Sequence, residues 1–518
     1  MSTSNAPPAF KWSHLWQPAI VNPVNLKSYT IPFFNLRDPY AQSFHLSWLG
    51  FFVAFLSWFA FPPLIPEAIK SDLKLTNAQV ANSNVIALTA TLGVRVVVGP
   101  LVDRYGPRKV MAWLLILGAI PSGLAGTARS AESLYVLRFF IGILGGTFVP
   151  CQAWTSAFFD KNCVGTANAI VGGWGNMGGG ATFAIMTSLY TALRNAGLTE
   201  HIAWRVSFAA VPAPVLLAVA ALTLMFGQDH PAGKWSERYS VPATGIIVED
   251  PEIEQEPIEG KESLDEKKDI EASKKSQVGV TIAEVDDEDD QQKVVIKSTV
   301  DIAVNQPLTV KSAWKIIANH LTWLPALAYL TTFGFELALD AFMADVLYKI
   351  YNGKIDGFNQ EVSGYYTSIF GFLNLVTRPF GGYVGDVVYR KYGTKGKKWW
   401  TLVCGLLMAG SCIGGGFYLT SHREASSLPS LSIVMAVFSV AAIFSELGNG
   451  ANFALVPHCN AYNNGVMSGI VGSFGNLGGI IFAMIFRFQP QLGNGFWIMG
   501  IICLVLNLVL IPIPVPKF

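Results

Sequence analysis

The feature that most constrains this chain is a series of twelve apolar segments, each long enough to cross a lipid bilayer as a helix. Six precede a long polar insert and six follow it, at about 43–67, 78–101, 109–128, 132–158, 165–193 and 203–227, then 316–348, 362–388, 398–419, 430–455, 465–487 and 495–515. Only 14% of the residues are charged and the mean hydropathy is +0.40, whereas a soluble chain carries about a quarter charged residues. The sequence therefore predicts an all-α membrane protein with twelve transmembrane helices in two pseudo-symmetric six-helix halves.

The order of these segments predicts four regions, two of them embedded in the lipid bilayer. They are a cytoplasmic N-terminal tail, a first six-helix half, a charged cytoplasmic loop and a second six-helix half, at 1–42, 43–227, 228–315 and 316–518. The tail is polar and holds Lys11, Lys27 and Arg37 before the first span, which argues against a cleaved signal peptide.

Clusters of lysine and arginine predict the orientation in the membrane. The short loops hold equal numbers of basic residues on the two sides, so the clusters decide. The stretch from Asp103 to Lys109 follows the second span, and the stretch from Arg390 to Lys398, with five basic residues, follows the eighth. Both should be cytoplasmic, so we expect a multi-pass protein of the plasma membrane with both termini inside.

The loop at 228–315 differs in composition from the rest of the chain. It holds 20 acidic and 11 basic residues, and the net charge from Glu249 to Asp290 is −12. Such a segment buries too little apolar surface to fold by itself. Two hypotheses remain for it: a plain disordered linker, or a regulatory segment on which a kinase or another partner acts at Ser263, Ser273 or Ser276.

A segment rich in glycine and asparagine occurs twice, in the fifth span and in the eleventh. Between 165–180 and 465–480, eight of sixteen positions are identical. Each copy repeats two glycines and an asparagine at the same spacing: Gly172, Gly175 and Asn176, then Gly472, Gly475 and Asn476. Glycines allow membrane helices to pack closely, but a buried amide needs polar partners. We therefore expect both helix faces to border a small ligand.

A second repeat places an arginine inside the membrane in each half. The pattern Arg-x3-Gly-x3-Asp begins at Arg95 in the second span and at Arg378 in the eighth, which indicates an internal duplication. A charge at the centre of a membrane helix costs about 2.5–3.5 kcal/mol on insertion scales, so two of them point to function. Two facing guanidinium groups would clamp one small anion. The alternative is that each arginine pairs with a buried carboxylate, from Glu336, Asp340 or Glu446.

The seventh span combines aromatic and acidic residues. Tyr329 and Phe333 share one helix face, and Glu336 and Asp340 share another. Aromatic rings could wall a nearly dry site, and a carboxyl group beside it could carry a proton. Glu336 is the first candidate for that proton, followed by Asp340 and Glu446. The alternative role for Glu336 is a salt bridge to one of the arginines.

These patterns resemble a known family. The stretch from Asp103 to Lys109 resembles the loop motif of the major facilitator superfamily. The doubled glycine–asparagine segment together with the doubled arginine resembles the nitrate/nitrite porter family. The stretches from Gly448 to His458 and from Gly233 to Arg238 are similar to the filamentous-fungal branch of high-affinity nitrate transporters. We expect His458 to be a solvated loop residue. The resemblance covers about 43–240 and 316–515.

The resemblance implies a twelve-helix fold and high-affinity nitrate uptake by alternating access and proton symport, with nitrite as a second substrate. The residues that it assigns to substrate binding are Arg95, Arg378, Asn176, Asn476, Phe55, Tyr329 and Phe333, with Gly172, Gly175, Gly472 and Gly475 in the walls. One departure from symmetry is Ser468, which stands where the first copy has Asn168. The two walls should therefore differ.

Two other functions remain open. One is transport of a different anion, such as phosphate or an organic acid. The other is a membrane nutrient sensor without net flux. The glycine runs lack the strand and the lysine of a phosphate loop, so we expect no enzyme activity and an ion gradient as the energy source. The six cysteines lack metal-like spacing. We expect no metal, no cofactor and no nucleic-acid partner.

Overall fold

The computed structural model of the protein describes residues 8, 10–23, 25–160, 163–240, 310–459, 464–489 and 491–515. The candidate phosphorylation sites Ser263, Ser273 and Ser276 lie outside the described residues, as does the acidic stretch from Glu249 to Asp290. The predictions that concern them stay predictions.

The first half consists of six membrane spans. Their helices are α1 (Pro39–Trp58), α2 (Asn77–Tyr105), α3 (Pro107–Gly123), α4 (Ala131–Ile141) with α5 (Phe148–Phe158), α6 (Val164–Asn195), and α7 (Glu200–Ala210) with α8 (Pro212–Phe226). A 3-10 segment, Gly142–Thr147, joins α4 to α5 in the fourth span. Gly106 separates α2 from α3 with a φ of +90°, a conformation that favours glycine.

The second half repeats this arrangement. Its helices are α9 (Val310–Ala318), α10 (His320–Tyr351), α11 (Gln360–Leu373), α12 (Thr377–Glu424), α13 (Leu431–Cys459), α14 (Asn464–Phe488) and α15 (Leu492–Val509). Gly393, with a φ of +64°, breaks α12 between the eighth and ninth spans. The prediction of twelve spans in two six-helix halves is confirmed.

Two spans differ from the others in composition. By length and hydropathy, nine helical stretches in the described ranges could cross a membrane, and one of them, Gln360–Glu424, covers two spans. Neither α6 nor α10 is among them. Glycines and asparagine lower the hydropathy of α6, and Glu336 and Asp340 lower that of α10. These two helices carry many of the predicted site residues.

Glycines let the helices at the centre touch backbone to backbone. A Cβ atom on Gly180 of α6 would lie 2.6 Å from Cα of Gly371 in α11, across the boundary between the halves. A Cβ atom on Gly334 of α10 would lie 2.8 Å from Cα of Gly478 in α14. Real Cβ atoms do not approach this closely, so larger residues would push the helices apart.

Contacts between the halves close the centre toward both faces of the membrane. At one face, Asp386 accepts hydrogen bonds from Thr166 N and Oγ1 at 2.9 Å, and Asp103 accepts one from Val466 N at 3.2 Å. At the other face, Glu67 N donates to Gln360 Oε1 at 2.7 Å. The conformation is therefore occluded.

Candidate functional site

The two arginines of the repeat lie at the centre of the molecule and are 0% and 1% exposed. Each lies against the glycine helix of the other half. Arg95 Nη1 donates to the carbonyl of Gly472 at 2.7 Å. A Cβ atom on Gly172 would lie 3.2 Å from Arg378 Nε, and one on Gly472 would lie 3.3 Å from Arg95 Nη1. The bare faces of α6 and α14 thus make room for the guanidinium groups.

Neither guanidinium has a partner for every donor. Arg95 Nε donates to Gly145 O at 2.8 Å, and Arg378 Nη2 donates to Tyr329 Oη at 3.0 Å. Arg95 Nη2 and Arg378 Nη1 are buried and donate no hydrogen bond to any of the described residues. Buried donors are rarely left unpaired. Two such atoms on facing cations fit an anionic ligand between them.

One aromatic ring lies beside both cations. The centroid of Phe333 is 5.4 Å from Cζ of Arg95 and 5.8 Å from Cζ of Arg378. Tyr329 stacks on Phe333 with 4.7 Å between centroids. Both rings pack on Gly475, where a Cβ atom would lie 2.6 Å from Phe333 Cδ1. The predicted aromatic wall therefore lies next to the arginines.

Further aromatic side chains complete this wall, and the sequence analysis missed them. Phe148 lies 4.8 Å from Cζ of Arg95, and Phe453 packs edge-on against Phe148 at 4.8 Å. Phe51 fills the space beside Gly175 and contacts Phe148 at 5.5 Å. Phe55 contacts Phe51 at 4.4 Å.

One sequence signal could have found Phe51. Phe51 and Phe55 in α1 are four residues apart, as are Tyr329 and Phe333 in α10, and the two helices are the first spans of their respective halves. No comparable signal marks Phe148 or Phe453, because phenylalanine is common throughout apolar spans.

The two repeated asparagines have different partners. Asn176 Nδ2 donates to Glu336 Oε1 at 3.0 Å, whereas Asn476 Nδ2 donates to Gly472 O in its own helix at 3.1 Å. The amide oxygens of both are buried without a partner among the described residues. The two glycine walls are therefore chemically different, as the Asn168–Ser468 exchange indicated.

Glu336 accepts three amide hydrogen bonds. In addition to Asn176, Asn374 Nδ2 reaches Oε1 at 2.9 Å, and Asn449 Nδ2 reaches Oε2 at 2.6 Å. Arg378 Nη1 is 3.9 Å from Oε2, at the limit of an ion pair. Glu336 accepts on both oxygens, which is the pattern of an ionised carboxylate. The sequence did not reveal Asn374 and Asn449, which lie far from Asn176 along the chain.

Two more carboxyl groups lie behind Glu336. Asn374 Nδ2 also donates to Glu446 Oε1 at 3.0 Å, and the hydroxyl of Thr377 donates to Glu446 Oε2. Among the described residues, no hydrogen bond or ion pair reaches Asp340, which is 6% exposed. All three carboxyl groups line a cavity of about 10 Å³, roughly what one water molecule needs.

A second ionic cluster lies between the break in α12 at Gly393 and the end of α13. Lys397 is fully buried, and its Nζ is 3.0 Å from Asp386 Oδ1 and 3.0 Å from His458 Nε2. His458 belongs to α13 and is half-buried. The expectation of a solvated loop residue is therefore wrong, because the helix continues past Pro457 and Lys397 approaches the ring.

The stretch from Gly233 to Arg238 also has a defined place. It belongs to a segment, residues 228–238, that we call the clip. Trp235 Nε1 and Arg238 Nη2 donate to the carbonyl of Asp103 at 2.9 and 2.8 Å. Burial, followed by Lys27 and Arg238, lowers the pKa of His230 to about 4. The ring is then neutral, so its Nδ1 can accept from Ala232 N at 3.1 Å. The clip thus holds the residue whose carboxylate reaches Val466.

The described residues contain no group of three or more histidine, cysteine, aspartate or glutamate side chains placed to hold a metal ion. The groups that line the site are cations, amides, aromatic rings and carboxyl groups. Two guanidinium groups with unpaired donors, flat aromatic walls and a nearby carboxylate can hold one small planar oxyanion.

The Major Facilitator Superfamily matches residues 47–483. A bacterial homologue of the human lysosomal transporter Spinster, solved in an inward-facing conformation, has a TM-score of 0.54 at 15% identity, covering 90% of this chain and 94% of that one. This likeness concerns the fold alone.

Three relatives have closer sequences. Nitrate transporter 2.1 of Chlamydomonas reinhardtii is 31% identical over 92% of this chain and 75% of its own length. The high affinity nitrate transporter 2.5 of Arabidopsis thaliana is 31% identical, with coverage of 89% and 76%. The nitrate/nitrite transporter NrtP of Nostoc punctiforme is 28% identical, with coverage of 91% and 92%. The chain therefore belongs to the Major Facilitator Superfamily and, within it, to the family of these nitrate and nitrate/nitrite transporters.

Proposed function

We propose that this protein is a high-affinity nitrate uptake transporter, with nitrite as a second substrate, and that it works by alternating access and proton symport. The observation that carries the proposal is the pair of buried arginines. Each half supplies one, and each keeps a guanidinium nitrogen without a hydrogen-bond partner among the described residues. The names of the relatives support nitrate as the anion.

The charge balance of the site supports a monovalent anion. Arg95 and Arg378 contribute two positive charges, and Glu336 contributes one negative charge near Arg378. One nitrate would bring the sum to zero. A guanidinium presents forked planar donors, which can bind two oxygens of a planar oxyanion such as nitrate. The aromatic wall excludes water and leaves little room for a larger organic acid.

The three carboxyl groups support proton coupling. They surround one small cavity, and Arg378 is the cation near them. Keeping all three ionised there would be costly, because buried charges need partners. Glu336 has three amide donors and Arg378, so we assign the ionised form to Glu336 and the mobile proton to Asp340 or Glu446. The other assignment, with the proton on Glu336, remains the alternative.

A proton gradient is needed on energetic grounds. A cell interior at about −100 mV opposes the entry of each nitrate by about 2.3 kcal/mol. Entry with more than one proton makes the net charge that moves inward positive, so the membrane potential then drives concentrative uptake instead of opposing it. Expression in a cell without nitrate uptake, with nitrate-dependent currents recorded at two external pH values, tests this. We expect inward current that grows at acid pH; outward current would contradict symport.

The proposal includes the placement of the protein. We assign it to the plasma membrane with both termini and the loop at 228–315 in the cytoplasm, where a kinase or another partner has access to the loop. The basic stretches from Asp103 to Lys109 and from Arg390 to Lys398 support this orientation.

The first prediction concerns the arginines. Arg95→Lys and Arg378→Lys should each abolish high-affinity uptake, because lysine keeps the charge but lacks the planar fork. Losing such hydrogen bonds at a buried site costs about 2–5 kcal/mol, by analogy with buried charge pairs. The measurement is labelled-nitrate uptake at matched surface levels. Arg487→Lys is the control, because Arg487 is exposed and remote from the site. Near-normal affinity in either site variant would refute the clamp.

A nutrient sensor and a transporter for another anion are the competing functions. Purified protein in liposomes separates all three. Transport predicts labelled nitrate inside the vesicles, a sensor predicts binding without accumulation, and a different substrate predicts that phosphate or an organic acid competes better than nitrite.

A further inference from the structure

A cluster of exposed apolar side chains lies on the N-terminal tail, away from the site described above. Phe10, Trp12, Trp16, Phe34 and Leu36 are between 52% and 73% exposed. The ring of Trp16 stacks on Phe34 with 4.7 Å between centroids, and Phe10 packs edge-on against Trp12 at 5.3 Å. The two ring pairs and Leu36 are the exposed apolar side chains of this tail, and together we call them the tail face.

The tail is fixed to the helical body. Tyr40 Oη in α1 donates to the carbonyl of Leu26 at 2.6 Å. Ser28 N donates to the carbonyl of Phe158, at the end of α5, at 2.8 Å. The position of the tail face relative to the spans is therefore defined.

The tail face borders the lipid-facing surface of the spans. Phe33, the neighbour of Phe34, packs edge-on against Trp174 of α6 at 5.4 Å. Trp174 Nε1 donates to the carbonyl of Leu375 at 3.1 Å. Leu375 and Val376, between α11 and α12, are 41% and 67% exposed. Large exposed apolar side chains in a membrane span face lipid, so the tail face continues that surface at the start of α1.

The charge of the tail is mainly positive, because its one acidic residue, Asp38, is buried. From Met1 to Arg37 the chain holds three basic residues and no acidic one. Lys11, between Phe10 and Trp12, and Arg37, directly after Leu36, are both exposed. Aromatic side chains favour the headgroup level of a bilayer, and lysine and arginine beside it attract anionic lipids.

We propose that the tail face rests on the bilayer surface on the side where α1 begins, with Lys11 and Arg37 on anionic lipid headgroups. An exposed apolar face of this size needs an occupant, and the bilayer is already in contact with the adjoining helices. This inference rests on the proposed cytoplasmic position of the tail and is independent of the substrate. Coverage by another protein is the competing outcome.

Spin labels on the full-length protein test the proposal. The protein is placed in nanodiscs of phosphatidylcholine with phosphatidylserine, and Trp12→Cys, Trp16→Cys and Phe34→Cys are labelled one at a time. Gln17→Cys is the matched control, because Gln17 is exposed and polar on the same stretch. The background carries Cys163→Ser, because Cys163 is the half-buried cysteine whereas the other five are buried.

The collision rate of each label is then measured with oxygen, which partitions into lipid, and with a water-soluble nickel chelate. The ratio of the two rates shows whether the label lies in lipid or in water. We expect oxygen to be the stronger relaxing agent for the three tail-face labels and the chelate for Gln17→Cys. The preference for oxygen should weaken in nanodiscs of phosphatidylcholine alone.

Three results would overturn the inference. Tail-face labels that favour the chelate would place the tail face in water. Labels shielded from both reagents would mean that protein covers it. If the preference for oxygen is the same with and without phosphatidylserine, anionic headgroups do not contribute to binding of the tail face. Nitrate uptake measured on the same variants tests the proposed function separately, so its loss with an unchanged label depth would count only against that function.

Discussion

Four asparagine side chains lie near the centre of the protein. Three of them donate a hydrogen bond to a carboxylate, and the fourth donates to a backbone carbonyl. Asn176, Asn374 and Asn449 donate to Glu336, whereas Asn476 donates to a carbonyl of its own helix. An amide donates without adding charge, so it can stabilise a carboxylate and leave the charge of the site unchanged. The oxygens of these amides remain buried without partners among the described residues, and they are free to meet a new donor.

Asn176 provides a prediction at this scale. Asn176→Asp replaces a donor to Glu336 with a second carboxylate close to the proposed anion. We expect the apparent KM for nitrate to rise at least about tenfold, which corresponds to about 1.4 kcal/mol. Uptake kinetics at equal surface level provide the measurement. An unchanged KM in a well-folded variant would mean that the amide does not border the anion.

The carboxyl groups provide another prediction. In Asp340→Asn, nitrate binding should persist while the pH dependence of the current disappears, because the variant has lost the group that we assign to the proton. Glu336→Gln should lower turnover instead, because Arg378 loses its ion-pair partner and holds the anion too strongly. Currents across a range of external pH distinguish the two variants.

The contrary pattern is equally informative. If Asp340→Asn keeps the parental pH profile and Glu336→Gln loses it, Glu336 carries the proton. If neither variant changes the profile, Glu446→Gln is the remaining carboxyl variant at the same cavity.

At the level of helices, the end of α2 and the start of α6 hold the two halves together at one face of the membrane. Each is tied to the other half: Asp103 follows the site arginine of α2 and reaches Val466, and Thr166 at the start of α6 reaches Asp386. The clip adds to this by holding the carbonyl of Asp103. Opening at this face must break the contacts between the halves, whereas the contacts of the clip stay within the first half.

Trp235 tests this arrangement. Trp235→Ala removes one hydrogen bond to Asp103, worth about 0.5–1.5 kcal/mol, so opening at this face should become about two- to tenfold more frequent. The labelling rate of Ser468→Cys, a buried position on α14, measures that opening. Trp113→Ala is the control, because Trp113 is 61% exposed on α3. Equal labelling rates in all three backgrounds would exclude the clip from gating.

The helices could be predicted from the sequence better than their contacts could. The twelve segments predicted from the sequence coincide with the spans, and the repeated spacing paired Arg95 with Arg378. Neither signal could show that Asn374 and Asn449 meet on Glu336, because these residues come from different helices and asparagine has no fixed partner. The prediction for His458 was wrong for a related reason. The proline before it indicated the end of a helix, but the helix continues to Cys459 and places His458 in contact with Lys397.

At the scale of the whole molecule, the loop at 228–315 divides into parts with different contacts. Its first residues form the clip, and its last described part begins α9 at Val310. The acidic stretch between them lies outside the described residues. Its composition favours disorder, and changing the length of such a loop costs little free energy.

Deletion of Glu249–Asp290 should therefore leave the KM for nitrate unchanged, because every residue of the site lies outside the deleted stretch. Turnover or abundance is free to change if the loop is regulatory. Uptake and surface level are measured together, with a neutral linker of equal length as the control. Loss of uptake at a normal surface level, in the deletion but not with the linker, would give the acidic stretch a direct role in coupling.

The reciprocal placement of the arginines has a consequence for how substrate and shape depend on each other. Arg95 is completed by a carbonyl of the second half, and Arg378 lies on a glycine of the first. In the proposed transport cycle, an anion that enters from either side meets both cations only after the halves have come together. Part of the binding free energy of the anion is then gained when it meets the first arginine, and the rest when the halves close on it. The part gained on closure favours the occluded state over the open states. The same few hydrogen bonds consequently set both the affinity and the rate of transport. A ligand that binds one arginine well but cannot reach the other would therefore act as an inhibitor.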